Sequence, residues 1–217
     1  MTDNYRSELF SRIRKLNFTN AHFFGQAFRL FLLFSAFFSL FYLLGSLTAI
    51  GENTKKIAVD FFGIGFKNSG PFAFLLQALS FSCSDFYLSL IIFISGYTML
   101  SFPVSALCLA YTGAKSGYCF SCLWQILIRS GELSGGGATF AYLAVCKLCV
   151  TAAMIFICVC AHDFSYRYSD IYRKVSRPLT SPESVNYATV AVSAAGLTVL
   201  INLLFLTFQY ISPSTYI

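Results

Sequence analysis

Eight cysteines are the side chains of this 217-residue chain whose type and spacing could carry chemistry. Four of them form two C-x-x-C pairs, Cys119 with Cys122 and Cys146 with Cys149. In a water-soluble chain, two such pairs would suggest a zinc site or a thiol redox centre. Here Phe-Ser and Lys-Leu separate the cysteines inside apolar segments, without the tight turn that a zinc knuckle needs. We therefore predict that both pairs are packing elements and that the chain binds no metal or other cofactor.

The remaining candidates for chemistry are few. His22 and His162 are far apart and belong to no metal-binding motif, and the acidic residues are expected in loops. No nucleophile with a neighbouring base is visible, which predicts that the chain is not an enzyme. Lys147 interrupts an apolar run, and we interpret it as a side chain that snorkels from the outer third of the membrane. The alternative is that Lys147 marks a polar cavity.

The spacing of the charges predicts the elements that position these residues. Uncharged windows run over 30–51, 86–114 and 184–217, and each can cross a bilayer, which takes about 20 residues. Charged residues make up 11% of the chain, against about 25% in soluble domains. The sequence therefore predicts an all-α integral membrane protein with the lipid bilayer as its partner. The net charge of +6 is attributed to membrane topology and not to nucleic-acid binding.

The predicted layout is a cytoplasmic amphipathic segment, 1–29, followed by one helical membrane domain, 30–217. Five spans are expected, at about 30–50, 87–112, 116–128, 140–161 and 188–208. Basic residues concentrate in 1–29 and in the loop 162–184, and the positive-inside rule assigns both to the cytoplasm. This places the N-terminus inside and the C-terminus outside. Segment 116–128 is short for a crossing, and a re-entrant segment is the alternative.

A large outer loop is predicted over 51–86, with a short interfacial helix over 71–82 that begins at Pro71. The loop is rich in aromatic residues, which either dock a partner or sit among the lipid headgroups. The docking candidates are Phe61, Phe62, Phe66, Phe72 and Phe74.

One motif is more specific, and it consists of Gly96, Pro103, Gly113 and Gly117. Pro103 is expected to kink the second span, and the two later glycines to let helices approach closely. The stretch GYTMLSFPVSALCLAYTGAKSG resembles the core of the stage II sporulation protein M family. The chain length, the five spans and the large outer loop are also similar to that family.

The resemblance implies a non-enzymatic scaffold in the cell membrane. Such a protein would recruit peptidoglycan-remodelling hydrolases to the septal membrane during engulfment. Two other classes remain open. A membrane component of a small-molecule importer of the vitamin type would need a cavity lined by polar side chains. A membrane-embedded thiol enzyme would need reactive cysteines close to an interface.

Overall fold

The computed structural model of the chain describes residues 20–48, 51–52, 71–130, 133–174 and 182–211. Five α-helices account for nearly all of these residues. They are α1 (Asn20–Leu47), α2 (Pro71–Ser95), α3 (Ser101–Ser130), α4 (Leu133–Lys174) and α5 (Pro182–Ile211). No strand occurs in the described ranges, so the predicted all-α class is confirmed for them.

Three helical stretches are long and apolar enough to cross a membrane, namely Phe23–Leu47, Phe140–Tyr166 and Val185–Leu204. They overlap the predicted first, fourth and fifth spans. In the first stretch only 17% of the most apolar window is buried inside the bundle. Many large apolar side chains therefore face outward, which suits lipid and would be costly in water. These three helices support the prediction of a helical membrane protein.

The middle of the chain differs from the prediction. The expected spans 87–112 and 116–128 are wrong, because a turn at 96–100 ends α2 and α3 then continues through both segments. Pro103 does not kink a span, since it lies in the first turn of α3. A proline is well accommodated there, because its missing N–H would have no partner within the helix. The first helical bond accordingly runs from Val104 N–H to the carbonyl of Leu100.

Three other boundaries differ as well. The interfacial helix expected over 71–82 continues to Ser95, because Ser82, Asp85 and Ser89 are buried in the bundle and do not end the helix. The predicted loop 162–184 is helical up to Lys174 and again from Pro182. Helix α1 begins at Asn20, so part of the predicted cytoplasmic segment 1–29 belongs to it. The first 19 residues and residues 53–70 lie outside the described part.

Helix α4 is the centre of the bundle, because it contacts each of the other four helices. Its Met154, Ile157 and Cys158 are fully buried in an apolar cluster that also includes Ile92 of α2 and Leu109 of α3. A second cluster forms toward the other end of α4, around Leu143, with residues from α3 and α5. Half of the most apolar window of α4 is buried inside the bundle, the largest share among the three long apolar stretches, and α4 therefore supports the residues described below.

Helices α1 and α3 form the most extensive contact of the bundle, and glycines make it close. A Cβ on Gly113 would lie 2.7 Å from the carbonyl oxygen of Phe34, and one on Gly117 would collide with the carbonyl of Phe38. On the opposite helix, a Cβ on Gly45 would lie 2.9 Å from Cβ of Ser121. The missing side chains thus let the two backbones touch, as small residues commonly do in membrane helices.

We predict that Gly117→Leu lowers the stability of the protein by about 1–3 kcal/mol, because the added side chain must push α1 away from α3. Gly196→Leu is the matched control, since a Cβ at Gly196 of α5 meets nothing within 4 Å. Equilibrium unfolding in mixed micelles measures both. Equal stability of the two variants would show that α1 and α3 are not in contact.

Candidate functional site

A buried ion pair lies inside the bundle between α2 and α4. The ammonium of Lys147 lies 3.4 Å from Oδ2 of Asp85, and their side chains are 11% and 12% exposed. The same Oδ2 accepts a hydrogen bond of 2.9 Å from the Asn202 amide of α5. One carboxylate oxygen thus joins three helices.

These groups are buried at a depth where charge is expensive. Lys147 follows Phe140, the first residue of its apolar stretch, by seven positions, which is about 10 Å along the helix. A lone ammonium or carboxylate buried in this way would cost several kcal/mol, whereas a pair with extra hydrogen bonds recovers much of that cost. Asn202 supplies one such bond and is itself only 2% exposed. The three side chains are therefore stable together and unstable apart.

The pair forms one wall of a cleft of about 190 Å³. Helices α2, α3 and α4 line the cleft, and Lys115 of α3 brings a second ammonium to it. The other lining residues are Ser84, Tyr87, Leu88, Tyr111, Thr112, Ser116, Val150 and Thr151. Tyr87 and Tyr111 are more than half exposed, whereas Val150 and Ser116 are buried. The cleft is therefore partly open, with rings at the exposed side and a mixed polar and apolar floor.

Hydrogen bonds from side-chain hydroxyls to backbone carbonyls stabilise the helices that line the cleft. The hydroxyl of Thr151 donates to the carbonyl of Lys147 at 2.8 Å, and that of Thr112 donates to the carbonyl of Cys108 at 2.8 Å. Ser89 likewise donates to the carbonyl of Asp85 at 2.9 Å. Such bonds let hydroxyl residues lie on membrane helices without an unsatisfied donor. The cleft is thus built on three regular helices and not on loops, which favours a fixed geometry.

The structure contradicts the snorkelling interpretation of Lys147, because its ammonium points into the bundle toward Asp85. The expectation that acidic residues lie in loops is wrong for Asp85, which lies in the middle of α2. Lys115 was expected to end a span, yet it lies halfway along α3. Lys147 instead lies at a cleft with Asp85 and Lys115, and the lining of that cleft combines these charged groups with apolar surface.

The four residues of the glycine and proline motif do not form one site. Gly113 and Gly117 face α1, as described above, whereas Gly96 lies in the 96–100 turn and Pro103 in the first turn of α3. A Cβ on Gly96 would collide with the hydroxyl of Tyr187, which donates to the carbonyl of Phe93 at 2.8 Å. The Tyr187 ring also stacks on Phe164 with centroids 4.3 Å apart. Gly96 thus makes room for an aromatic cluster that ties the 96–100 turn to α4 and α5.

Both cysteine pairs lie on uninterrupted helix, so neither has the turn of a zinc knuckle. Cys119 and Cys122 are buried at 1% exposure each, in keeping with a packing role. Cys149 differs from the prediction, because it is exposed on α4. Within the described residues, no three His, Cys, Asp or Glu side chains come close enough to hold a metal ion.

The aromatic docking candidates are mostly outside the described residues. Phe61, Phe62 and Phe66 lie in the stretch 53–70, and the side chain of Phe74 is not described either. Phe72, in the first turn of α2, is 74% exposed. All five stay candidates, and Phe72, the one that is described, does not line the cleft.

Sequence reasoning missed Asp85, Asn202 and the position of Lys115. A signal existed for two of them. Asn202 is a polar amide inside the apolar run 200–204, and Asp85 follows an apolar helical pattern that no glycine or proline interrupts before Gly96. Each of these polar groups is costly in lipid when it is alone. The sequence could therefore have suggested that the acid, the amide and the lysine of three separate apolar helices contact one another.

We predict that Lys147→Met lowers the free energy of unfolding by about 3–5 kcal/mol, because it leaves the buried Asp85 carboxylate uncompensated. The double variant Asp85→Asn with Lys147→Met should recover most of the loss, since no charge is then stranded. Arg29→Met, on the exposed face of α1, is the control. Unfolding in mixed micelles measures the coupling, and additive effects of the two substitutions would contradict the ion pair.

Comparisons of the chain with family models, with curated proteins and with solved structures find no match. The site is therefore interpreted from its own geometry.

Proposed function

We propose that the chain is the membrane-embedded solute-binding component of a transport system. The observation that carries this proposal is the cleft between α2, α3 and α4, in which two lysines and an aspartate are held inside a bundle of apolar helices. Ionisable groups within membrane helices usually mark a substrate or ion pathway, because their burial destabilises the protein and they are retained where function requires them. Small-molecule sites typically combine apolar walls with a few placed polar groups, as this cleft does.

We further propose that all five helices cross the plasma membrane, with the N-terminus in the cytoplasm. Helices α2 and α3 are about 37 and 45 Å long at 1.5 Å per residue. Several of their polar residues line the cleft, and others, such as Ser89 and Ser105, are buried in the bundle. Hydrogen bonds at the two ends of the bundle support helices that cross the membrane in alternating directions. Ser165 of α4 donates to the carbonyl of Thr98 at one end, and Gln125 of α3 donates to the carbonyl of Gly45 at the other.

This topology predicts that the 96–100 turn lies on the cytoplasmic side. In a cysteine-free background, Met99→Cys should react with an impermeant maleimide only after the membrane is opened, since Met99 is 74% exposed. Glu52→Cys, exposed after α1 on the proposed outer side, is the control that should react in intact cells. Reaction of the Met99→Cys variant in intact cells would overturn the arrangement.

The scaffold implied by the family resemblance is the second candidate. The observation in its favour is the exposed Phe72 ring at the start of α2, beside the aromatic stretch that contains the other docking candidates. A scaffold recruiting peptidoglycan hydrolases would use that outer surface and would have no need of the cleft. The two proposals therefore differ in the surface whose substitution should abolish function. For the solute-binding component it is the cleft, and for the scaffold it is the outer surface around Phe72.

We predict that filling the cleft abolishes transport. Thr112→Phe places a ring in the cleft, whereas Leu107→Phe adds similar bulk on the same helix at a position that is 70% exposed. Cells expressing each variant are incubated with a mixture of small solutes, and their contents are measured by mass spectrometry. At least one solute should accumulate with the wild type and with Leu107→Phe but not with Thr112→Phe.

Identical solute contents for the wild type and a stably inserted Thr112→Phe variant would contradict the transport proposal. That result would favour the scaffold, whose partners should still be recovered with either variant.

A further inference from the structure

We propose that the cleft opens sideways to lipid between α2 and α3, and that an uncharged, ring-sized molecule with a hydrogen-bond donor enters it from the bilayer. This inference rests on the proposed solute-binding function and names the class of the solute. Three properties of the cleft carry it. They are the position of its mouth along the helices, the apolar character of its surface, and the polar atoms that its wall presents.

The mouth of the cleft is marked by two exposed tyrosines, Tyr87 of α2 and Tyr111 of α3. Tyr87 lies eight positions before Ser95, the last residue of α2, and Tyr111 lies ten positions after Ser101, the first residue of α3. At 1.5 Å per residue, both are about 12–15 Å from the turn that joins the two helices. Under the proposed topology that turn lies at the membrane surface. The mouth then lies near the middle of a hydrocarbon core about 30 Å thick.

The surface beside the mouth suits lipid. Ile91 follows Tyr87 by one helical turn, Leu107 precedes Tyr111 by one turn, and both apolar side chains are exposed. Residues four apart share one face of a helix, so the mouth is continuous with outward-facing apolar surface. Tyrosines of membrane helices usually concentrate at the headgroup level. Two exposed tyrosines at mid-depth depart from that pattern, and a solute that passes between their rings accounts for their position.

The surface of the cleft is mainly apolar, which favours an uncharged solute. Leu88 and Val150 contribute to this surface, in addition to the rings at the mouth. A charged group placed against apolar surface loses hydration that the surface does not replace. The charge of Lys147 is matched by Asp85 at 3.4 Å, so this pair does not require a charged ligand.

Three polar side chains of the wall present hydrogen-bond acceptors. The hydroxyls of Thr112 and Thr151 each donate to a backbone carbonyl of their own helix at 2.8 Å. A hydroxyl oxygen that has donated in this way keeps lone pairs with which it can accept. Asp85 adds acceptor capacity, because Lys147 and Asn202 both bind its Oδ2 and Oδ1 takes part in neither bond. A solute with a hydroxyl or an N–H group therefore matches the wall better than a solute without a donor.

The volume of about 190 Å³ sets the size of the solute. An apolar protein cavity of about 150 Å³ is large enough to hold benzene, so this cleft accommodates one ring with a small substituent. A phenol meets all of these conditions, because it is uncharged at neutral pH, has one ring and donates a hydrogen bond. Phenols also dissolve in lipid, which is the route of entry that the lateral mouth requires.

The solute class is tested with the full chain in nanodiscs of phosphatidylcholine. Fluorine nuclear magnetic resonance measures the bound probe, and empty nanodiscs give the signal of probe dissolved in lipid. The probes are para-fluorophenol, para-fluoroanisole, which has no donor, and the charged para-fluorobenzoate and para-fluorobenzylammonium. The phenol should bind about three- to tenfold more tightly than the anisole, since the anisole lacks one hydrogen bond. Neither charged probe should bind.

Substitution of Thr112 tests the acceptor. Thr112→Val removes the hydroxyl at nearly constant shape, and should weaken binding of the phenol by about three- to tenfold without changing that of the anisole. Thr189→Val is the matched control, because Thr189 of α5 makes the same bond to the carbonyl four residues earlier but does not line the cleft. Thr112→Phe should abolish binding of both probes, and Leu107→Phe should leave both unchanged.

The lateral mouth is tested by electron paramagnetic resonance in the same nanodiscs. Spin labels are attached to the single variants Tyr111→Cys, Leu107→Cys and Met99→Cys in a cysteine-free background. Oxygen reaches labels in lipid, whereas a water-soluble nickel chelate reaches labels in water. The label at position 111 should collide mainly with oxygen, as the label at position 107 should. The label at position 99, in the exposed turn, should collide mainly with nickel.

Results of three kinds would overturn the inference. Collisions of the label at position 111 mainly with nickel would show a mouth open to water, so that lipid entry fails and the solute site stands. Equal binding of phenol and anisole, or equally tight binding of a charged probe, would refute the solute class, and loss of that binding in Thr112→Phe would keep the proposed function. Absence of binding by every probe to the folded protein would refute the site. Phenol binding without any solute accumulation in cells would instead refute transport and leave the inference in place.

Discussion

The contact between Asp85, Lys147 and Asn202 is the constraint on which the rest of the structure depends. One carboxylate oxygen ties α2, α4 and α5 together at a place where none of the three side chains is stable alone. Replacing the network by apolar residues would satisfy the same packing at no greater cost, so stability does not explain its presence. The network adjoins the cleft, and under the proposed function it is retained because it shapes the solute site.

The remaining packing holds α3 in the position that closes this cleft. At the middle of α3, Gly113 and Gly117 bring it against the backbone of α1, and nearer its C-terminal end Gln125 donates to the carbonyl of Gly45 at 2.8 Å. At the opposite end, the aromatic cluster around Tyr187 anchors the turn that leads into α3. Lys115 lies between these two anchors. Its place beside the cleft therefore follows from glycines and aromatic residues that do not line the cleft.

The sequence predicted the long apolar helices of this arrangement, but it did not predict the positions of the buried polar residues. Long apolar runs correctly predicted α1, the apolar part of α4 and α5, because lipid exposure demands continuous apolar sequence. Asp85 was assigned to the outer loop 51–86 and Lys115 to the end of the second span, because charge in an apolar window resembles a loop until its partner is known. The partners lie far away in sequence, at 147 and 202, so only packing reveals that the charges are buried. Pro103 was placed in mid-helix for the same reason, since only the turn at 96–100 shows that a new helix begins.

The ion pair can be measured directly by solid-state nuclear magnetic resonance in lipid. With ¹³C in the aspartate carboxyl groups and ¹⁵N in the lysine ammonium groups, a dipolar recoupling experiment reports which of them lie within a few ångströms. The Lys147 ammonium lies 3.4 Å from Asp85 Oδ2, so a strong carboxyl dephasing is expected that disappears in the Lys147→Met variant. A dephasing curve that is the same for the wild type and Lys147→Met would contradict the buried pair, and with it the cleft that the pair supports.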